Sequence, residues 1–347
     1  MHIVMDAREA FSQAKSGKGQ WAAGLIGELS KRDLRLTLLG DTRSSSSGIV
    51  RLPGGIRWHG AALRYLRGAE DADCYVSPTS FIVPALLPAS VKRMVVVHDL
   101  IAFQGEPHDR KATMIERLFL GRALKKASCI CTISESTKHD LLEKFPEISA
   151  DSVRVVYAGP ALDPPAPRNP DGKTILCVAT LCPRKNQLRL IRAYAALPSP
   201  LREKYRLVLA GGRGWQDTEI LRMARNTKGV EWTGYVSDAE YQRLLTECDV
   251  FALPSLYEGF GMQILDALQR GIPVLTSQRG SLKEVAGTSA VFVDPESERS
   301  IGSGLASLLE SEDLRNSLRV AGPVQAKQFS WKRTADLFLA AAASVVY

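Results

Sequence analysis

Short apolar runs of strand length alternate along the whole chain with longer segments of helical period. A run that is apolar at successive positions and closed by Gly, Pro, Asn or Asp reads as a strand buried on both faces. A segment whose apolar positions recur every third or fourth residue reads as a helix lying against it, and the alternation of the two predicts parallel α/β layers. In the first half the pattern predicts strands over 2–5, 34–39, 74–76, 94–97, 129–133 and 153–156, with helices over 20–31, 111–126 and 134–144.

The rhythm stops at AGPALDPPAPRNPDG (Ala158 to Gly172), which holds five prolines and two glycines. Each proline removes a backbone donor and fixes φ, so the segment is neither helix nor central strand and marks a domain boundary. Beyond it the rhythm restarts. Strands are expected over 175–178, 206–210, 230–232, 250–253, 273–276 and 290–293, helices over 187–196, 217–225, 238–246 and 262–270, then helices to the end. The predicted class is α/β: two Rossmann-like, doubly wound domains, 1–160 and 173–330, facing each other across a cleft. A Pro-rich linker, 161–172, joins them, and 331–347 is expected to be a C-terminal helix packing back on the first domain. Open parallel sheets bind ligands at the carboxyl ends of their strands, which directs attention to the loops there.

Composition narrows the class. At 347 residues, 45% hydrophobic and 24% charged, the chain can fill two cores and lacks the apolar poverty of disorder. It has no run of about 18 apolar residues, and MHIVMDAREAF is not a basic segment leading into an apolar one, so neither a membrane span nor a secretion signal is expected. Cys74, Cys129, Cys131, Cys177, Cys182 and Cys248 lack the two-residue spacing of a zinc or redox pair and read as reduced core thiols of a cytoplasmic protein. The net charge of +8 favours anionic partners. It is evenly spread, with 22 basic against 18 acidic residues in 1–165 and 23 against 19 beyond, and no nucleic-acid motif accompanies it.

Four strand ends carry candidate chemistry. PSLYEGFGMQILDAL (Pro254 to Leu268) leaves a strand, passes Glu258, Gly259, Phe260 and Gly261, and enters a helix at Met262 and Gln263. A helix start offers backbone N–H groups and partial positive charge, which suits a diphosphate, while Glu258 and Asp266 can accept bonds from hydroxyl groups. They can equally be a solvated loop residue and a helix surface charge. ILCVATLCPRKNQ (Ile175 to Gln187) brings Arg184 and Lys185 to a helix opening, where two cations can neutralise a leaving diphosphate or simply face water. VVVHDLIAF (Val95 to Phe103) delivers His98 and Asp99 to a strand end, where the imidazole can meet a ligand hydroxyl or a backbone carbonyl. In SGKGQWAAGLIGEL (Ser16 to Leu29), Gly17 and Gly19 precede a helix without completing the dinucleotide fingerprint.

Taken together, these segments resemble the retaining glycosyltransferases of family 4, which have the GT-B fold of two facing Rossmann-like domains. The resemblance runs from the Gly17–Gly19 loop through CICTISESTKHDLL (Cys129 to Leu142) to the end, and is strongest in the second half. The family's donor signature is two glutamates separated by seven residues. Glu258 matches the first, and Asp266, one methylene shorter, stands at the second, which contacts the ribose. By the same resemblance Lys185 and Arg184 hold the diphosphate, Arg184 standing in for an arginine the family carries where this chain has Thr180. His98 lies beside the donor sugar and Gly19 in the flexible loop near acceptor and phosphate. GYVSDAEYQRLL (Gly234 to Leu245) cradles the base through Tyr235 and Val236, on a floor of Gly211 and Gly212.

The resemblance implies a metal-independent hexosyltransferase without cofactor. Its nucleotide-diphosphate donor is read as a GDP-sugar of mannose or rhamnose, UDP- and dTDP-sugars remaining open, and its acceptor as a glycan or lipid-linked glycan of surface polysaccharide or lipopolysaccharide. A sugar-nucleotide epimerase, a phosphorylase and a silent nucleotide-sugar-binding scaffold are the competing readings. Asp71-Ala72-Asp73 has the spacing of a manganese site but precedes a strand at its amino end, so it is read as a solvated turn and no metal is expected. Segment 110–126 carries six basic residues against Glu116. Its Met114, Ile115, Leu118 and Phe119 are expected to pack on the sheet, the alternative being peripheral contact with anionic lipid at the inner face of the cytoplasmic membrane.

Overall fold

The computed structural model describes residues 1–12, 16–42, 48–104, 110–162 and 167–346. The chain forms two compact units, Met1–Gly159 with Phe329–Tyr347, and Pro160–Gln328. Among the described residues no helix is long and apolar enough to cross a membrane.

The first unit is built on seven parallel strands: β1 (His2–Asp6), β2 (Arg35–Asp41), β3 (Ile49–Leu52), β4 (Cys74–Ser77), β5 (Arg93–Val97), β6 (Cys129–Thr132) and β7 (Val153–Val155), in the order β3-β2-β1-β4-β5-β6-β7. The near-continuous apolar runs of β1, β4, β5 and β6 are buried throughout because helices cover both faces. Val95, Val97 and Ile130 pack with Leu120, Ala123, Leu124 and Leu141 on one side. On the other, Val4, Leu39 and Tyr75 pack with Trp58, Ala62 and Leu66 of helix Arg57–Gly68. That helix and the partly exposed edge strand β3 are absent from the sequence reading, although Trp58, Ala62 and Leu66 recur at a helical interval.

The inward stripe of helix Arg110–Lys126 meets the expectation at Phe119, which packs against the cluster of Val95, Val97 and Ile130, and differs from it at Met114 and Leu118. Leu120, Ala123 and Leu124 are buried, whereas Met114 and Leu118 are 63% and 68% exposed. On the same helix Glu116 is buried and pairs with Lys18, 3.0 Å away. The side chains of Arg110 and Lys111 lie outside the described residues. Helix Trp331–Val346 belongs to the first unit, where the Trp331 ring fills space that a side chain at Gly24 or Gly159 would occupy.

The second unit repeats the design with β8 (Thr174–Val178), β9 (Arg206–Ala210), β10 (Val230–Gly234), β11 (Val250–Leu253), β12 (Val274–Ser277) and β13 (Ala290–Val293), all parallel, in the order β10-β9-β8-β11-β12-β13. The order reverses between β8 and β11, so the loops leaving these neighbours diverge and open a crevice. The described part of the Pro-rich segment lies along this unit. Leu162 N–H donates to Asp266 Oδ1 at 3.1 Å, Asn169 N–H to Thr246 O at 3.0 Å and Asp171 N–H to Glu247 O at 2.8 Å. These three N–H donors of the segment are thereby satisfied. Residues 163–166 of the expected linker lie outside the described residues.

Candidate functional site

The loops after β8 and β11, the two strands at the reversal of order, bring Arg184, Lys185 and Glu258 together. Lys185 Nζ donates to Glu258 Oε1 at 2.6 Å and Arg184 Nη1 to Oε2 at 2.9 Å, while Ser255 Oγ donates to Oε1 at 2.7 Å. Glu258 is 5% exposed and Lys185 8%. Burial pushes the carboxyl up, but the opposing charges of Lys185 and Arg184 and the donated hydrogen bonds outweigh it and lower Glu258 to about 2. The acid is ionised at any physiological pH.

Distant segments hold this geometry. Asn186, at φ 62°, donates through Nδ2 to Pro254 O at 2.9 Å and Pro295 O at 2.7 Å, tying the cation loop to the acid loop. The Glu258 carbonyl accepts from Ser281 N–H at 3.0 Å and Ser281 Oγ at 3.1 Å. Next to it Gly280 has φ 60°, and a Cβ there would lie 2.3 Å from the Glu258 oxygen. Only glycine fits. Ser255, Asn186, Gly280 and Ser281 were not among the sequence candidates; the Ser-x-x-Glu spacing was the one local signal for any of them.

The remaining candidates of this unit divide. Gly259, Phe260, Gly261 and Met262 are buried around the entry of helix Met262–Gln269, which no side chain caps, and Gln263 is half-buried. Gly211, at φ 150°, lies flat against the Ala179 carbonyl, where a Cβ would come within 2.0 Å, and Leu181 N–H donates to Gly212 O at 3.0 Å. Thr180 is therefore an exposed residue on a loop paired edge to edge with Gly212. Tyr235 is 67% exposed next to Gly212, with Val236 half-buried behind it.

Asp266, the expected ribose contact, has partners within the unit. It is 0% exposed, with Oδ1 accepting from Leu162 N–H at 3.1 Å and Oδ2 from Tyr241 Oη at 2.9 Å. Burial raises its carboxyl to about 7.

In the first unit His98, 5% exposed, ends β5. Its Nε2 is 2.7 Å from Pro78 O, an acceptor only, so Nε2 carries the proton and Nδ1 is left as an acceptor. The ring meets Trp21 edge-on with centroids 5.5 Å apart. Burial, followed by the charge of Lys18, lowers His98 to about 4, so it stays neutral. Gly17 and Gly19 are the opening of helix Gly17–Leu29, capped by Ser16, instead of the expected loop; Gly19 packs on the Glu9 carbonyl. Residues 13–15 before it lie outside the described residues. Asp71 pairs with Arg35, and Asp73 Oδ2 accepts from His2 N–H at 2.7 Å, both at the amino ends of β1 and β4. Among the described residues no cluster of three or more metal-ligating side chains occurs.

Residues 160–325 match the family described as Glycosyl transferases group 1. The O-antigen chain mannosyltransferase B of Escherichia coli is 32% identical over 267 residues, 71% of this chain and 69% of that one. The serotype-specific mannosyltransferase WbdA of Escherichia coli is 30% identical over 270 residues, again 71% of this chain but 32% of that longer protein. Sucrose-phosphate synthase from Thermosynechococcus elongatus superposes with a TM-score of 0.80 over 98% of both chains at 16% identity, a likeness of fold.

Proposed function

Since this chain belongs to the group 1 glycosyltransferases and is a glycosyltransferase of GT-B fold, we propose that it transfers a mannosyl group from GDP-mannose, or a rhamnosyl group from the corresponding GDP-sugar, with retention at the anomeric carbon. The observation that carries the reading is the buried ion-paired cluster of Arg184, Lys185 and Glu258 at the reversal of strand order. The two cations and the uncapped start of helix Met262–Gln269 suit a diphosphate, and neutralise charge as the glycosidic bond breaks. In this reading Glu258 accepts bonds from the sugar and Tyr235 lies against the base, while in the first unit the acceptor Nδ1 of His98 is of the kind that takes a hydroxyl hydrogen bond. Catalysis then rests on positioning and on charge stabilisation, with the acceptor attacking from the leaving-group face and the departing diphosphate taking its proton.

The acceptor is proposed to be a growing surface glycan on a lipid carrier, reached from the cytoplasmic side. Met114 and Leu118 stand exposed on helix Arg110–Lys126 with Arg117, Arg122 and Lys125 around them, an apolar face ringed by cations that suits anionic lipid. The donor is tested by thermal shift with GDP, UDP, dTDP and ADP and their sugars. GDP and GDP-mannose should raise the melting temperature most, by mass action; a chain that responds to none of the four bases does not perform this reaction.

A further inference from the structure

The two cations suited to a diphosphate already hold an anion. Glu258 takes Lys185 on one oxygen and Arg184 on the other, and Ser255 completes the set. Its backbone cannot give way, because Ser281 donates twice to its carbonyl and Gly280 lies too close behind it. Arg184 is equally fixed, its Nη1 donating to Tyr257 O at 2.7 Å and its carbonyl accepting from Leu256 N–H at 2.8 Å. What can move is the Glu258 side chain.

Resting on the donor reading above, we propose that in the empty enzyme Glu258 occupies the diphosphate's place on Arg184 and Lys185, and that the donor binds by exchange. Its phosphate oxygens take over the two cations, and the displaced carboxylate finds new donors in the hydroxyls of the transferred sugar. A nucleoside diphosphate without sugar displaces Glu258 and offers it nothing in return. A buried carboxylate stripped of partners is costly. The exchange therefore favours the sugar-bearing donor over the spent nucleotide and expels the product, although the free diphosphate carries the greater charge.

Titration calorimetry with GDP, GDP-mannose and inorganic pyrophosphate on the wild type, Glu258→Gln and Ser255→Ala tests this. The amide keeps the shape and removes the competing charge, so Glu258→Gln should bind GDP and pyrophosphate about tenfold tighter or more while losing the preference for GDP-mannose. Ser255→Ala, which loosens the carboxylate without removing it, should tighten GDP about two- to threefold. Unchanged or weaker GDP binding by a folded Glu258→Gln overturns the exchange and leaves the donor reading standing. Should near-ultraviolet circular dichroism show Glu258→Gln unfolded, Ser255→Ala decides alone, with unchanged GDP affinity the refuting result. A wild type that binds no nucleoside diphosphate sinks the donor reading itself, and the exchange with it.

Discussion

A carboxylate inside a protein is governed by the donors it meets, and Glu258 and Asp266 meet opposite kinds. Glu258 has two cations and a hydroxyl bonded to it and stays ionised; Asp266 has the N–H groups of Leu162 and Ala161, a phenol and the charge of Arg270 nearby, together too little to offset its burial. Replacing Lys185 or Glu258 by alanine should lower kcat by about two to three orders of magnitude with the circular dichroism spectrum retained, and near-normal turnover in either variant refutes the assignment. For Asp266 the sign runs the other way from most acids. Its folded value of about 7 lies above the unfolded value of about 3.9, so the folded state binds the extra proton and stability falls as pH rises from about 4 to about 7. Asp266→Asn should remove that fall, roughly 2 to 4 kcal/mol in urea unfolding between pH 5 and pH 8; a variant with the wild-type slope shows that Asp266 does not titrate there. At this scale the strand ends drew attention to Glu258 and Lys185, the resemblance singled them out, and the fold brings them into contact. Ser281 and Asn186 were not legible, because their partners come from segments far along the chain. The spacing of Asp266 was readable and its burial was not, since Leu162 and Tyr241 close over it from elsewhere.

Among the elements, strands buried on both faces read well, because β1, β4, β5 and β8 carry apolar residues at successive positions. The edge strand β3, with Arg51 exposed and the rest half-buried, carries no such signal. Helix Arg110–Lys126 shows the limit of periodicity. Two apolar stripes overlap in its sequence, and the one through Leu120, Ala123 and Leu124 faces the sheet. The outward stripe makes a prediction of its own. The wild type should float with liposomes containing anionic lipid, and Met114→Glu with Leu118→Glu should reduce the floated fraction several-fold at unchanged melting temperature. Equal flotation of the double variant excludes this face as the contact.

For the whole molecule, two doubly wound sheets were foreseeable from the repeated alternation. That Leu162 is held to helix Met262–Gln269 was not, since a proline-rich stretch announces only what it cannot form. The first unit is discontinuous, for helix Trp331–Val346 buries Thr334, Ala335, Phe338, Ala341 and Ala342 within it. Removing 329–347 should expose this apolar surface and destabilise the first unit by more than about 5 kcal/mol, visible as rapid proteolysis within 1–159 while 160–328 resists. Equal resistance of both segments would show that the helix is dispensable.

The same discontinuity orders events at the ribosome. Trp331 settles against Gly24 and Gly159 only after the whole of 160–328 has been synthesised, so the half that emerges first must wait with an open groove, while the contiguous stretch from Pro160 can close as soon as it is out. Birth order and maturation order are thus reversed, and a nascent chain stalled just past Gln328 should carry a finished downstream unit behind an unfinished upstream one.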